Sequence, residues 1–185
     1  MPESIAAATD EPEDAVLLAR WRGGDERAAT VLVHRYTPSV ARFVASLGER
    51  EEVEEVVQDT FVRAFASLDA FRGDSTLRTW LFSIARNLVR DRVRSRASRR
   101  RTVPIDESHA VTEHDALDAA VSDETEDRLS KSLDVLSPMQ REVFTLRVSE
   151  GLSYREIAGV VGSTEGAARV HYHNAMRAIK EFIDG

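Results

Sequence analysis

Apolar residues recur at helical spacing over most of the chain, and no segment shows the strict apolar–polar alternation of a strand. The clearest stripe lies in residues 51–68, where one face is apolar and the opposite face is polar. Similar stripes predict helices from about Asp14, over residues 25–46, and from about Leu77 to Arg94. The pattern therefore predicts an all-α chain.

The apolar periodicity fades from about residue 97, where Pro104 and an acidic bias indicate a flexible linker. Helical spacing resumes near Thr125. The predicted organisation is a disordered tail at 1–13, a first helical domain at 14–96, an acidic linker at 97–124 and a second small helical domain at 125–185. The expected fold is thus two small helical domains joined by a flexible linker.

The second domain contains two helix-start signals and a turn. Ser137 with Gln140, and Ser153 with Glu156, have the spacing of capping boxes, in which each side chain satisfies a free backbone N–H of the partner residue. Gly162 can adopt the positive φ that a sharp turn between helices needs. The region after Ser153 therefore predicts a helix-turn-helix.

The helix that follows Gly162 has the two faces that a major-groove helix requires, one small and apolar and one rich in hydrogen-bond donors. Arginine pairs with guanine, asparagine pairs with adenine, and a helix N-terminus favours phosphate. The candidate duplex-contacting residues are Arg155, Ser163, Thr164, Glu165, Arg169, His173, Asn174 and Arg177.

Composition narrows the class of protein. The chain has 185 residues and no cysteine, which excludes disulfides and thiolate metal sites. No apolar run approaches the ~18 residues of a membrane span, and the N-terminus lacks a secretory pattern. A cytoplasmic protein without membrane insertion is expected.

Charge is distributed unevenly, although the net charge is −7. Residues 86–101 contain eight arginines and one aspartate, whereas residues 102–127 contain nine acids and no lysine or arginine. The basic segment can neutralise phosphates, and the acidic one repels DNA. Closure of the acids in 106–127 onto the arginines in 86–101 is a further hypothesis.

The order of these segments resembles that of a bacterial RNA polymerase sigma factor of the extracytoplasmic-function (ECF) group of the sigma-70 family. The resemblance rests on residues 54–65, 71–81, 84–88 and 136–144 and on the helix-turn-helix. It implies a transcription initiation factor that binds core polymerase through the β′ clamp and β subunits, reads −35 and −10 promoter elements and promotes melting. An anti-sigma factor is a further implied partner, and neither cofactor nor metal nor enzymatic activity is expected.

The resemblance also assigns site residues. The β′ clamp is expected to dock on Glu55, Gln58, Asp59 and Val62. The −10 element is expected to meet a base-capturing loop and the helix after it, comprising Phe71, Arg72, Ser75, Thr76, Arg78, Thr79, Trp80, Arg86, Asn87 and Arg90. Trp80 also lies on the apolar stripe, which favours the core for most of its ring. The −35 reader is the helix-turn-helix set given above, with fewer basic residues than is frequent in the family.

Two other functions remain open. A stand-alone helix-turn-helix regulator would bind duplex DNA without polymerase, with paired half-sites if dimeric. A metal-dependent enzyme would use the acids and the five histidines, but His171 and His173 diverge on a helix and no catalytic motif is present. The sigma-like segment at 71–88 favours the initiation factor over both.

Overall fold

The computed structural model describes residues 13–49, 51–102 and 133–184. The helices are α1 (Asp14–Arg22), α2 (Glu26–Ser46), α3 (Val53–Ala66), α4 (Leu77–Thr102), α5 (Pro138–Val148), α6 (Tyr154–Val161) and α7 (Glu165–Asp184). A short 3-10 turn, Leu68–Ala70, follows α3. No strand occurs within these ranges, which confirms the all-α fold class. The predicted tail and linker lie almost wholly outside the described residues, and the predicted domain boundaries stay predictions.

The chain forms two compact units that divide after Pro38. In the first unit, Leu17 is fully buried and Asp14 at the start of α1 holds two side chains of α2. The Arg35 guanidinium donates to Asp14 at 2.6 Å, and the Tyr36 hydroxyl also donates to Asp14. Pro38 lies inside α2, and the helix continues through it rather than ending there.

In the second unit, α3 packs along α4, and the C-terminal end of α2 joins the same core. The rings of Phe43 and Phe82, both fully buried, are tilted with centroids 5.1 Å apart. Val56 and Phe61 place the predicted apolar stripe of α3 in this core. Burial of such side chains, at roughly 25 cal/mol per Å² of apolar surface, stabilises a helix pair whose outer faces are charged.

The same unit contains a three-helix group in which α5, α6 and α7 contact one another. Leu146, Leu152 and Ile157 are fully buried there. The small residues Ala168 and Ala175 on α7 are also fully buried, so that the helices can approach closely. The helix-turn-helix predicted from sequence is therefore α6, a turn at Gly162, and α7.

Helix α4 continues to Thr102, past Arg94, where the apolar periodicity predicted its end. The extension has a physical cause, because residues 95–102 contain no glycine or proline and Arg96 finds carboxylates on a neighbouring segment. Arg96 lies 3.0 Å from Glu49 and 2.8 Å from Glu52. An apolar stripe was thus not needed to hold this part of the helix.

Gly162 ends α6 in the left-handed region, with φ 65° and ψ 46°. We expect Gly162→Ala to lower the free energy of unfolding by about 1 kcal/mol, because a Cβ disfavours this conformation even though nothing lies within 4 Å of it. Gly159→Ala, in the middle of the same helix with the same open space, should raise it by about 0.5–1 kcal/mol. Urea unfolding of the two variants measures both changes, and equal effects would contradict this account of the turn.

Candidate nucleic-acid interface

The polar face of α3 is built around one arginine of α4. Arg92, whose side chain is 18% exposed, lies 2.5 Å from Glu52, 2.8 Å from Glu55 and 2.8 Å from Asp59. The hydrogen bond with Glu55, followed by those with Asp59 and Glu52, holds the pKa of Arg92 above its usual range. Three carboxylates are thus fixed on one side of α3 by one cation.

The predicted docking residues on α3 fall into two groups. Glu55 and Asp59 belong to the Arg92 cluster, whereas Gln58 and Val62 are exposed on the outer face. Val62 is 66% exposed on that outer face. The α3 surface therefore offers fixed negative charge beside an exposed apolar residue.

The loop before α4 brings part of the predicted base-capturing set together. The rings of Phe71 and Trp80 are 5.0 Å apart, and both are partly buried. The Thr76 hydroxyl accepts from the Thr79 N–H at 3.2 Å, which makes Thr76 the cap of α4. Arg72, Ser75 and Thr76 are exposed, and Arg78 is partly buried.

Farther along α4, the predicted −10 contacts are not equally accessible. Asn87 and Arg90 are exposed one turn apart. Thr79 and Arg86 are buried, with 3% and 5% exposure. Arg86 donates to Glu142 of α5 at 2.6 Å, and Thr79 lies 3.5 Å from Glu156 of α6. In this arrangement Asn87 and Arg90 are available to DNA, whereas Thr79 and Arg86 are covered.

The three-helix group covers this side of α4 through several contacts. Helix α6 packs against α4, and Arg42 near the end of α2 lies 3.0 Å from Glu150, whose side chain is 1% exposed. The carboxylates involved belong to α5, α6 and the turn after α5. The acids of 106–127, which were the hypothesised partners of the arginine run, lie outside the described residues.

The helix-turn-helix has the local structure that its sequence predicts. Both capping boxes are formed: Ser137 with Gln140, and Ser153 with Glu156. The Thr164 hydroxyl accepts from the Ala167 N–H at 3.1 Å and so caps α7. The start of α7 is thereby held in place by its own side chains.

The predicted reading face of α7 is presented to solvent. Arg169, His173 and Arg177 follow one another at intervals of four residues and are exposed. Asn174 is partly buried, and its side-chain oxygen Oδ1 accepts a hydrogen bond from the Arg177 guanidinium at 3.4 Å. Arg155 on α6 and Ser163, Thr164 and Glu165 at the turn are also exposed.

Several residues of the site were not identified from sequence. Glu142, Glu150 and Arg92 are charged residues whose partners lie 33 to 108 positions away, and no local pattern marks such pairs. No role was predicted for Tyr154, yet the guanidinium carbons of Arg147 and Arg169 lie 4.9 and 4.8 Å from its ring centroid. Contacts between residues so far apart in the sequence can be recognised only once the fold is known.

The capping carboxylate of Glu156 has its pKa lowered from 4.5, chiefly by the Ser153 hydroxyl and N–H, with Arg78 of α4 adding a favourable charge. Because the folded-state pKa is lower than the unfolded one, this contribution to stability is present above about pH 4.5 and is lost as the pH falls through the folded-state value. We expect Glu156→Gln, which keeps a capping-box side chain, to be less stable than wild type near neutral pH, with a difference that shrinks as the pH falls through the folded-state pKa of Glu156. Urea unfolding across this range measures the difference, and a constant difference would contradict the assignment.

Among the described residues, no group of three or more histidine, aspartate or glutamate side chains has the arrangement of a metal site. None of the helices in these ranges is both long and apolar enough to cross a membrane.

Two family models match the chain. The model for Sigma-70 region 2 matches residues 32–99, and the model for Sigma-70, region 4 matches residues 126–179. Together the two matches cover more than half of the chain, in the order in which α2–α4 and α5–α7 occur.

Individual relatives match over nearly the whole chain. The ECF RNA polymerase sigma-E factors of Salmonella typhimurium and Escherichia coli are 32% identical over 92% of this chain and 94% of their own length. The RNA polymerase sigma-H factor of Pseudomonas aeruginosa is 30% identical over 94% of this chain and 95% of its own.

Solved structures give the same result. CnrH in complex with the cytosolic domain of CnrY is 31% identical, with a TM-score of 0.68, over 92% of this chain and 97% of that one. The sigma factor RpoE in complex with the anti-sigma factor NepR from Bartonella quintana is 28% identical, with a TM-score of 0.66, over 86% of this chain and 97% of that one. With both regions matched and relatives similar end to end, the chain belongs to the ECF sigma factors of the sigma-70 family.

Proposed function

We propose that this chain is a transcription initiation factor that binds core RNA polymerase, directs it to promoters with specific −35 and −10 elements, and promotes melting of the DNA. One observation carries the proposal: region 2 and region 4 occur together, in order, in one chain with an exposed helix-turn-helix. A stand-alone regulator needs only the second of these regions.

The α3 surface is the proposed docking site for the β′ clamp. Its two features, the carboxylates held by Arg92 and the exposed Val62, suit a partner with cations around an apolar contact. Gln58 lies between them and supplies a hydrogen-bonding group. A fixed charge pattern costs less to order on binding than mobile side chains do.

The loop at 71–76 and the exposed side of α4 are the proposed −10 site. An unstacked base can stack on the exposed part of the Phe71–Trp80 pair, and stacking contributes on the order of 1–3 kcal/mol per base. Asn87 and Arg90 would contact the adjoining DNA. Thr79 and Arg86 can contact DNA only once the three-helix group has moved away from α4. Separation of that group from α4 is therefore part of the proposed mechanism.

Helix α7 is the proposed −35 reader, with Arg169, His173, Asn174 and Arg177 directed at the major groove. Arg155 and the residues of the turn, Ser163, Thr164 and Glu165, would lie against the backbone. Because this helix has few arginines, binding by the isolated chain should be weak. Polymerase holding both domains on one promoter would raise the effective concentration of each for its element.

Regulation by an anti-sigma factor is part of the proposal, since the structural relatives include a sigma factor bound to one. The chain is proposed to work in the cytoplasm, where polymerase and DNA are found. It is also proposed to open DNA without covalent chemistry of its own, by capturing the bases that melting exposes.

DNase footprinting on genomic fragments, with and without core polymerase, tests the proposal. We expect protection only when core is present, at two dissimilar elements, with loss on Arg169→Ala or Asn87→Ala. Lys180→Ala, exposed near the end of α7, is the matched surface control. Symmetric protection of paired half-sites without core would instead establish the stand-alone regulator.

A further inference from the structure

We infer that Tyr154 is a positioning residue that holds Arg169 in the orientation in which it meets the −35 element. The inference rests on the proposed function and adds Tyr154 to the proposed −35 site as a residue that does not itself contact a base. Tyr154 is the first residue of α6 and is partly buried, with the Arg169 guanidinium carbon 4.8 Å from its ring centroid. That distance is within the range of a cation–π contact.

The ring of Tyr154 is itself held by its neighbours. Tyr172, one turn after Arg169 on α7, meets it edge-on with centroids 5.9 Å apart. Tyr172 in turn stacks on Phe144 of α5 at 6.5 Å. The surface on which Arg169 rests is therefore fixed to both of the other helices of the group.

A second arginine approaches the same ring and is anchored elsewhere. The Arg147 guanidinium carbon lies 4.9 Å from the Tyr154 centroid, and its Nη1 donates to the Leu152 carbonyl at 2.8 Å. Arg147 is therefore tied to the turn before α6, whereas Arg169 is 54% exposed and extends from the reading face. Of the two cations at the ring, Arg169 is the one placed to reach DNA.

Glu165, one turn earlier on α7, also restrains Arg169, with its carboxylate 2.9 Å from the guanidinium. The two restraints differ in their effect on DNA binding. Glu165 compensates the charge of Arg169, whereas the Tyr154 ring orients the guanidinium and leaves its charge available to guanine or phosphate. An ordered arginine loses less side-chain freedom on binding than a mobile one.

The test uses the full-length protein with core polymerase and a promoter located by footprinting, with each −35 base pair substituted in turn. At the base pair where Arg169→Ala abolishes discrimination between bases, Tyr154→Leu should reduce that discrimination about two- to fivefold. At the other −35 base pairs it should have no effect. Tyr154→Phe, which keeps the ring, should behave as wild type. In the Arg169→Ala background, Tyr154→Leu should change discrimination no further.

A merely structural role for Tyr154 would give a different result. Uniform weakening at every promoter variant, or an equal effect of Tyr154→Leu with and without Arg169, would overturn the inference. If Tyr154→Leu fails to unfold cooperatively, a fluorinated phenylalanine at position 154 replaces it, because fluorine withdraws electron density from the ring face at nearly constant size. Failure of wild type to give any core-dependent footprint would overturn the proposed function, whereas a normal footprint with unchanged discrimination in Tyr154→Leu overturns only the role of Tyr154.

Discussion

Glu142→Gln should open the second unit and strengthen binding to −10 DNA. Glu142 and Arg86 form an ion pair at 2.6 Å whose side chains are only 12% and 6% exposed. Removing one charge of a buried pair leaves the other uncompensated, at a cost of about 3–5 kcal/mol when no other partner is found. Since Arg86 can regain water by separating from α5, we expect that cost to appear as opening rather than as unfolding.

The expected size of the change is at least tenfold in the equilibrium between closed and open arrangements. Glutamine keeps a hydrogen-bond acceptor, so that only part of the full cost applies, and about 1.4 kcal/mol already gives a factor of ten. The freed Arg86 adds a cation to the exposed Asn87 and Arg90. Affinity for a −10 single strand should therefore rise, while Arg86→Ala should open the unit without that gain.

The absence of cysteine makes the measurement direct, because labels can be placed at two chosen positions. Asp69→Cys and Lys180→Cys, both exposed, report the separation of the 3-10 turn after α3 from the end of α7. Spin-label distances should lengthen and broaden in Glu142→Gln. Glu181→Gln, an exposed residue on α7, is the charge-matched control. Unchanged distances together with unchanged −10 affinity would contradict the role given to this ion pair.

Arg92→Ala should have a large effect on the helix pair α3 and α4. Three carboxylates now within 2.8 Å of one guanidinium would be left to repel one another. We expect a loss of about 1–3 kcal/mol in the free energy of unfolding, moderated because the acids are 41–63% exposed and therefore screened. Affinity for core polymerase should fall more than stability alone explains, because Glu55 and Asp59 lose their fixed positions.

The matched control is Arg94→Ala, two residues along the same helix. Arg94 is 71% exposed and lies 3.9 Å from Asp91, so its removal should change little. Urea unfolding gives the stability change, and polymerase binding is then compared at temperatures where both variants are folded. Equal core affinity of the two variants would show that the acids do not need Arg92 for docking.

Much of the architecture was predictable because it depends on local chemistry. The apolar stripe of α3, both capping boxes and the turn at Gly162 are each specified by residues within a few positions of one another. These signals gave the type and order of the helices correctly. The domain boundaries and the assigned contacts to polymerase and DNA remain predictions.

The end of α4 and the burial of Arg86 could not be predicted in the same way. Apolar spacing fades after Arg94, and in the continued helix Arg96 pairs with two carboxylates that are distant in sequence. Arg86 has the sequence context of an exposed cation, and only the position of α5 shows that Glu142 covers it. In both cases the deciding interaction is an ion pair between residues far apart in the sequence, for which a single sequence carries no periodic signal.

The most direct test of the central claim is run-off transcription by purified bacterial core polymerase on genomic fragments, with and without this protein. The account predicts initiation at defined positions only when the protein is added, with loss of those transcripts on Asn87→Ala or Arg169→Ala. No stimulation of core polymerase by the folded wild-type protein on any fragment, together with DNA binding that is independent of polymerase, would contradict it.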